Sequence, residues 1–124
     1  MTDAANRKAV INLATGHEDA ERVVLAFLVA TAGLEAGKQV VMFLTKEAVR
    51  LTIPGYADAI ESAEAPPVAR LFAQFIEGGG EFYACPICFR ARKLDEASLV
   101  PNARLAGATP LWQFVGDGAT VFSY

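Results

Sequence analysis

Two short apolar runs separated by one helix-length segment constrain the fold of this chain more than any other feature. Residues 8–14 read KAVINLA and residues 39–45 read QVVMFLT, and both runs are continuous rather than alternating in polarity. Continuous apolar strands are typical of parallel sheets, whose two faces are covered by helices. The residues between the runs follow helical spacing, and Gly37 supplies a helix end. The sequence therefore predicts a βαβ unit.

The helix predicted between these strands is apolar on nearly every side. Val23, Phe27 and Leu34 lie on one stripe, while Leu25 and Val29 fill the opposite one. A helix that is apolar all round is usually buried on both sides. We therefore expect one side of it to lie against another subunit.

The rest of the chain continues the alternation of helices and strands. A second helical stripe covers residues 68–76, a third strand covers residues 81–84, and residues 52–67 read as an irregular loop of lid length. Residues 96–105 favour a turn or a short helix. The tail from residue 110 reads either as a helix followed by a strand or as a β-hairpin, and the preceding pattern favours the helix. These elements predict an α/β fold with a mostly parallel sheet.

Composition and charge exclude several classes of function. The chain has 124 residues, the usual size for one domain, so we expect residues 1–124 to form a single domain. Its net charge of −3 offers no broad basic face for nucleic acid. The longest apolar run, residues 23–30, is too short to span a bilayer, and the first residues lack the apolar core of a signal peptide. We therefore expect a cytoplasmic protein without a membrane span.

Both cysteines of the chain lie in one motif, Cys85-Pro86-Ile87-Cys88, directly after the third predicted strand. In an open parallel sheet the carboxyl ends of the strands line the ligand crevice. If Cys85 caps a helix that starts at Pro86, the amides of the first turn, including that of Cys88, face its sulfur and stabilise a thiolate. In a reducing cytosol such a pair is catalytic, redox-active or metal-binding more often than a structural disulfide. Burial of both thiols as small apolar groups is the alternative.

Three further residues are candidates for substrate binding near the motif. Arg90 and Arg92 follow the cysteines, and His17 lies in the loop after the first strand, at the same edge of the predicted sheet. A metal is not expected, because two cysteines and one histidine leave a tetrahedral zinc site one ligand short within one chain, and only a second subunit could complete it. No cofactor is expected either, since the chain has no GxGxxG or GxxxxGK[ST] pattern.

A thioredoxin-like oxidoreductase is an alternative interpretation of the motif. That fold also places C-x-x-C at a helix start, and the hairpin reading of the tail would match its ending. It normally places the motif after an early strand, with most of the domain following. Here Cys85 comes late, so its position argues against this fold.

The order of these motifs resembles the DsrE/DsrF-like family of small sulfur-relay-type proteins. The similarity covers nearly the whole chain, from VINLATG through LEAGKQVVMFLT and GGGEFYACPICFRARKL to the last strand. Family members commonly carry a C-x-x-C pair followed by Arg-Gly and an aliphatic residue. Cys85, Cys88, Arg92 and Leu94 match this pattern, whereas Lys93 stands at the usual glycine.

The resemblance implies a flavodoxin-like subunit with about five strands and helices on both faces, assembled into homo-oligomers, trimers or hexamers. It also implies that Cys85 carries sulfane sulfur as a persulfide and exchanges it with a donor or acceptor protein. Cys88 would serve as the resolving thiol. The sequence leaves open whether the protein is a carrier or a sulfurtransferase. A thiol-disulfide redox protein, or a non-enzymatic assembly or regulatory protein, is the alternative.

Overall fold

The computed structural model describes residues 7–124 as five strands and four α-helices joined by short 3-10 turns. In chain order these are β1 (Lys8–Leu13), α1 (Ala20–Glu35), β2 (Gln39–Leu44), α2 (Val68–Glu77), β3 (Glu81–Ala84), α3 (Pro86–Ala91), β4 (Ala103–Leu105), α4 (Ala108–Val115) and β5 (Thr120–Ser123). The 3-10 turns are His17–Asp19, Lys46–Thr52, Tyr56–Ala59 and Glu96–Ser98. Helix α1 ends as predicted, with Gly37 in the left-handed conformation at φ +85°.

All five strands form one parallel sheet in the order β4-β3-β2-β1-β5. The α/β class, the parallel sheet and the number of strands are therefore confirmed. The strand order, which the sequence did not predict, differs from the 2-1-3-4-5 order of flavodoxin itself. The chain runs outward from β1 to β4 and then returns to place β5 on the other side of β1. The direction in which successive strands are added to the sheet thus reverses, so that β1 has β2 on one side and β5 on the other.

This reversal distributes the helices over the two faces. Parallel crossovers are right-handed, so connections that run in opposite directions along a sheet lie on opposite faces. Helices α1 and α2 cover one face, where Phe27, Phe75 and Phe82 are fully buried. Their ring centroids lie 5.0–6.1 Å apart, a spacing at which aromatic rings pack edge-to-face or offset.

Helix α4 covers the other face with a smaller apolar cluster. Leu111 and Phe114 pack against Val41 and Tyr83 of the central strands. The ammonium of Lys8 donates to the carbonyls of Phe114, at 2.9 Å, and Val115, at 3.2 Å. Lys8 thereby binds the negative end of α4 just before the chain enters β5.

The structure settles the two segments that the sequence left open. The tail is a helix followed by a strand that pairs in parallel with β1, so the hairpin of the thioredoxin-like alternative is absent from the described residues. The segment read as a turn or short helix also contains β4, a three-residue edge strand that the sequence analysis missed. None of the helices described in residues 7–124 has the length and apolar character that a bilayer span requires.

The loop of residues 52–67 is more tightly packed than predicted. It contains the 3-10 turn Tyr56–Ala59, and both Ala57 and Ile60 are buried in the main core. The backbone N–H of Val68 donates to the carbonyl of Ile60 at 3.1 Å. The segment is therefore anchored in the core beside α2 by these two side chains, while about half of its residues are exposed.

Candidate functional site

The C-x-x-C motif begins where β3 leaves the sheet. The backbone N–H of Cys85 donates to the carbonyl of Leu44 at 2.9 Å, one residue beyond the last paired residues of β2 and β3. Cys85 is the N-cap of α3 and Pro86 is its first residue, as predicted. The N–H of Phe89 donates to the carbonyl of Cys85 at 3.0 Å and closes the first helical turn. The motif therefore lies at the carboxyl edge of the sheet, where α/β proteins place their ligands.

Both thiols are half-buried, and neither forms a disulfide. Each packs partly against the main core, into which Phe89 inserts completely, whereas Ile87 between them is 80% exposed. Cys85 makes no side-chain hydrogen bond to the first turn of α3, although the sequence analysis expected the Cys88 amide to face its sulfur. Sulfur is a weak hydrogen-bond acceptor. Cys85 therefore occupies the N-cap position without the side-chain hydrogen bond that a serine there would accept.

The conformation at the end of α3 explains why glycine is the usual residue at the position that Lys93 occupies. Lys93 has a φ of +53°, and its N–H donates to the carbonyl of Arg90 at 3.0 Å. The N–H of Leu94 donates to the carbonyl of Phe89 at 3.4 Å, and both side chains contact the core. These two bonds form a Schellman motif, which requires a left-handed residue at the position of Lys93.

Arg92 lies beside the motif, but its guanidinium contacts oxygen atoms. Its Nη1 donates to the carbonyl of Cys88 at 3.1 Å, and its Nε donates to the carboxylate of Glu47 at 3.3 Å. Only 24% of its side chain is exposed. Arg92 therefore connects the C-terminal part of α3 to the 3-10 turn that follows β2.

Glu47 accepts hydrogen bonds from two arginines. The Nε of Arg50 donates to the same carboxylate oxygen as that of Arg92. The hydrogen bond from Arg50 is the main reason that the pKa of Glu47 lies below its ordinary value of 4.5, and Arg92 adds to this effect. Glu47 is therefore ionised at neutral pH, and the stability that it contributes is lost only as the pH falls through its lowered pKa.

Arg90 points away from this network. Its Nη2 contacts the carboxylate of Glu96 at 3.1 Å, and both side chains are more than half exposed. An exposed pair of this kind contributes little to stability.

His17 lies at the same edge of the sheet, but its partner is Tyr56. The two rings are stacked, with centroids 3.7 Å apart and an angle of 4° between their planes. The His17 backbone N–H donates to the Tyr56 hydroxyl at 2.8 Å, and His17 Nε2 contacts the Tyr56 carbonyl at 2.8 Å. A carbonyl only accepts, so Nε2 carries a proton and Nδ1 is the free acceptor of the neutral ring. Burial raises the pKa of the Tyr56 hydroxyl, which stays protonated.

The structure therefore places the five predicted site residues in two groups. Cys85, Cys88 and Arg92 share the first group, and Arg90 lies at its margin. His17 belongs to a separate groove of about 390 Å³, whose lining among the described residues includes neither cysteine. That groove is lined by His17, Glu18, Glu47, Arg50 and Tyr56. Glu47 connects the two groups, because it contacts Arg92 and also lines the groove.

The chain resembles known proteins in both its sequence and its fold. The sequence model of the DsrE/DsrF-like family matches residues 8–124, which include every strand and helix described above. The chain belongs to the DsrE/DsrF-like family. Its similarity to curated proteins is modest. It is 31% identical over 104 residues to the uncharacterized protein MK0008 of Methanopyrus kandleri, covering 84% of this chain and 83% of that protein.

A second curated relative is much longer than this chain. The uncharacterized protein MJ0760 of Methanocaldococcus jannaschii is 25% identical over 94 residues, which cover 76% of this chain and 34% of that protein. The chain thus spans about a third of the length of this relative.

Solved structures share the fold at low sequence identity. The ychN protein from E. coli superimposes with a TM-score of 0.76 and 17% identity, over 95% of this chain and 99% of that one. The protein BT1422 from Bacteroides thetaiotaomicron, of unknown function, has a TM-score of 0.66 and 20% identity, with both chains fully covered. At these identities the similarity establishes the fold alone.

Sequence analysis missed two residues that hold this DsrE/DsrF-like site together. Glu47 lies three residues before Arg50, a spacing that predicts an ion pair on a helical turn and was the available signal. Tyr56 lies in the segment read as an irregular loop, where no periodicity indicates which side chains are buried. Its role depends on packing against the loop of His17.

Tyr56 also accounts for the glycine of the first loop. A methyl group on Gly16 would overlap the Tyr56 hydroxyl oxygen and lie 3.1 Å from the carbonyl oxygen of Glu47. We expect Gly16→Ala to lower the free energy of unfolding by about 2 kcal/mol, since overpacking a fixed site forces its neighbours to move. Denaturant unfolding measures the change. In a Tyr56→Phe background the same substitution should cost less, and an equal cost in both backgrounds would refute the clash with the hydroxyl.

The left-handed lysine at the end of α3 gives a second prediction. We expect Lys93→Gly to raise the free energy of unfolding by roughly 1 kcal/mol, because glycine adopts a positive φ without the steric cost that a Cβ brings. Thermal and denaturant unfolding measure the gain. Lys93→Ala removes the same charge but keeps the Cβ and should leave stability nearly unchanged, so equal effects of the two substitutions would contradict this account.

Proposed function

We propose that this protein handles sulfane sulfur as a persulfide on Cys85, in the cytoplasm. Family membership supports a sulfur-relay-type role. The observation that carries the proposal is the position of Cys85, half-buried at the carboxyl edge of the sheet and followed by Cys88 in the first turn of the same helix. A thiol at this place is open to a partner, and its backbone is held by the sheet and by α3. We take residues 1–124 to act as one domain.

The first step is attack of the Cys85 thiolate on the terminal sulfur of a donor persulfide. A new S–S bond forms at Cys85, the S–S bond of the donor breaks, and the donor leaves as a thiolate, so no external oxidant or reductant is needed. Such exchange is fastest when the pKa of the attacking thiol lies near the ambient pH. In a carrier, an acceptor thiolate then takes the terminal sulfur in the same way and restores Cys85.

Cys88 provides a second outcome for the same intermediate. Its thiolate attacks the inner sulfur of the Cys85 persulfide, forms the Cys85–Cys88 disulfide and releases hydrosulfide. The dithiol is oxidised by two electrons and the sulfane sulfur is reduced to sulfide. A dithiol reductant must then reopen the disulfide, which would make the protein a reductive sulfurtransferase and not a carrier.

The neighbouring polar residues receive supporting roles in this proposal. Arg92 presents an immobilised positive charge beside the Cys88 carbonyl, and Arg90 adds an exposed charge on the same helix. His17 offers Nδ1 as a hydrogen-bond acceptor across the Glu47 groove. We propose that these three residues bind or orient the sulfur partner and do not react with it.

The assignment of the two thiols is tested by intact mass after incubation with a small-molecule persulfide. We expect Cys88→Ser to retain one added sulfur, since it lacks the resolving thiol, and Cys85→Ser to gain none. The wild type should retain the sulfur if it is a carrier, or lose two hydrogens and release sulfide if Cys88 resolves the persulfide. An adduct that survives Cys85→Ser would move the role to Cys88, and the absence of sulfur, disulfide and sulfide from wild type and variants would exclude the proposal.

A second candidate function is favoured by the packing of the thiols. Both cysteines contact the main core, as expected in an assembly or regulatory protein whose thiols pack or sense oxidation. A thiol-disulfide redox protein would instead form the Cys85–Cys88 disulfide without taking up sulfur. The mass measurement separates these candidates, because only the sulfur-handling protein gains a sulfur atom or releases sulfide.

We further propose that the chain forms homo-oligomers, trimers or hexamers, through the uncovered side of α1. Leu28 is 37% exposed there and Phe122 of β5 is 45% exposed. Both line an almost entirely apolar groove of about 530 Å³, whose lining also includes Ile11, Val29, Ala32 and Gly33. An apolar surface of this kind commonly marks an interface between proteins.

The oligomer is tested by light scattering coupled to size-exclusion chromatography. We expect Leu28→Glu and Phe122→Glu each to lower the assembled mass, because a carboxylate in an apolar interface is costly to desolvate. Trp112→Glu is the control, since Trp112 is 73% exposed on α4 at the opposite face and should leave assembly unchanged. A monomeric wild type, or an unchanged mass in both groove variants, would refute this interface.

A further inference from the structure

Lys46 lies next to the cysteine edge and takes no part in the network of Glu47, Arg50 and Arg92. Strand β2 pairs with β3 in a register that ends at Leu44 and Ala84. Continuing this register by one residue places Thr45 opposite Cys85, whose N–H is bound to the Leu44 carbonyl. Neighbouring strands lie about 4.8 Å apart. Lys46 is therefore the first residue beyond the sheet on the strand adjacent to the reactive sulfur.

The backbone of Lys46 is held in a conformation that disfavours lysine. Its φ is +52°, in the left-handed region that glycine adopts most easily. The N–H of Ala48 donates to the carbonyl of Thr45 at 3.0 Å and closes a tight turn around Lys46. Lys93 is the other left-handed lysine, and its conformation is required by the Schellman motif that ends α3. Lys46 is the first residue of the 3-10 turn Lys46–Thr52, where no motif requires a left-handed residue, and strained residues that keep a side chain are concentrated at functional sites.

The charge of Lys46 is available to a ligand. The residue is exposed, and its ammonium forms no hydrogen bond or ion pair with the side chains and backbone of residues 7–124. The acidic neighbour Glu47 does not neutralise it, because the Glu47 carboxylate is occupied by Arg50 and Arg92. A lysine carries its ammonium on a flexible four-carbon stem, so the charge can follow a ligand along the edge.

We propose that Lys46 is a specificity-determining residue that binds the anionic group of the sulfur donor at Cys85. This inference rests on the proposed function and deepens it, because it assigns the donor to the class of small anionic persulfides, with carboxylate groups near the reacting sulfur. When the Cys85 thiolate attacks the terminal sulfur, the S–S bond of the donor breaks and its inner sulfur leaves as a thiolate. Lys46 faces both the bound carboxylate and this new negative charge, and it exchanges no proton or electron.

The first test compares two donors of opposite charge. Glutathione persulfide carries carboxylates and cysteamine persulfide carries an ammonium, and sulfur uptake on Cys85 is followed by rapid alkylation and intact mass. With the anionic donor, Lys46→Met should slow uptake by about twofold to fivefold, the range expected for one exposed charge pair. Lys46→Arg should largely restore it, and uptake from the cationic donor should not fall.

Lys93→Met is the matched control. Lys93 is also exposed and left-handed, but it lies at the opposite end of α3. Its substitution removes the same charge from the protein and should leave the preference between donors unchanged. Equal losses in Lys46→Met and Lys93→Met, or equal losses with both donors in Lys46→Met, would overturn the proposal.

A second measurement separates this inference from the proposed function. Alkylation of Cys85 is followed in a Cys88→Ser background with anionic iodoacetate and with neutral iodoacetamide. Lys46→Met should lower the iodoacetate-to-iodoacetamide rate ratio by about twofold or more, and Lys93→Met should not. If the wild type accepts no sulfur but this ratio depends on Lys46, the sulfur role fails while the anion site stands. A ratio that is independent of Lys46 overturns the anion site itself.

Discussion

One backbone hydrogen bond determines where the two thiols of this protein lie. The N–H of Cys85 extends the ladder between β2 and β3 by one residue to the Leu44 carbonyl, and the carbonyl of Cys85 then accepts the first helical bond of α3. A helix of six residues does not form on its own in water. Here Phe89, fully buried, anchors α3 in the core, and the Schellman motif closes its end. The position of the two thiols is therefore a consequence of sheet pairing and core packing.

The sequence was most informative where burial produces a strong periodicity. The continuous apolar strands β1 and β2 and the stripe of α2 lie close to their predicted bounds, because these residues are buried whatever their local propensity. Strand β4 was missed for the opposite reason. It reads only Ala-Arg-Leu, and Arg104 at its centre lies over the Tyr83 ring, with Cζ 4.6 Å from the ring centroid. Pairing with β3 creates this strand, and no local pattern predicts such pairing.

The candidate site, too, could be predicted from the sequence only in part. Because carboxyl ends of parallel strands share one edge, the sequence could place Cys85 and His17 at that edge without any knowledge of contacts. It could not predict that Glu47 holds Arg92, or that Tyr56 holds His17 by a stacked ring and two hydrogen bonds. Both partners come from 3-10 turns after β2, which have no helical or strand period. Their positions follow only from how these turns pack beside the first loop.

The direction reversal at β1 also leaves one side of α1 uncovered. Since the connection to β5 crosses the face of α4, no helix of the described chain covers β5 on the face of α1, and an apolar groove remains. The groove includes Lys8, Lys38 and Thr120, at the amino ends of three strands. The cysteines lie at the carboxyl ends. The proposed self-association through the groove would therefore bury the apolar side of α1 and leave the edge of Cys85 exposed at the opposite ends of the strands.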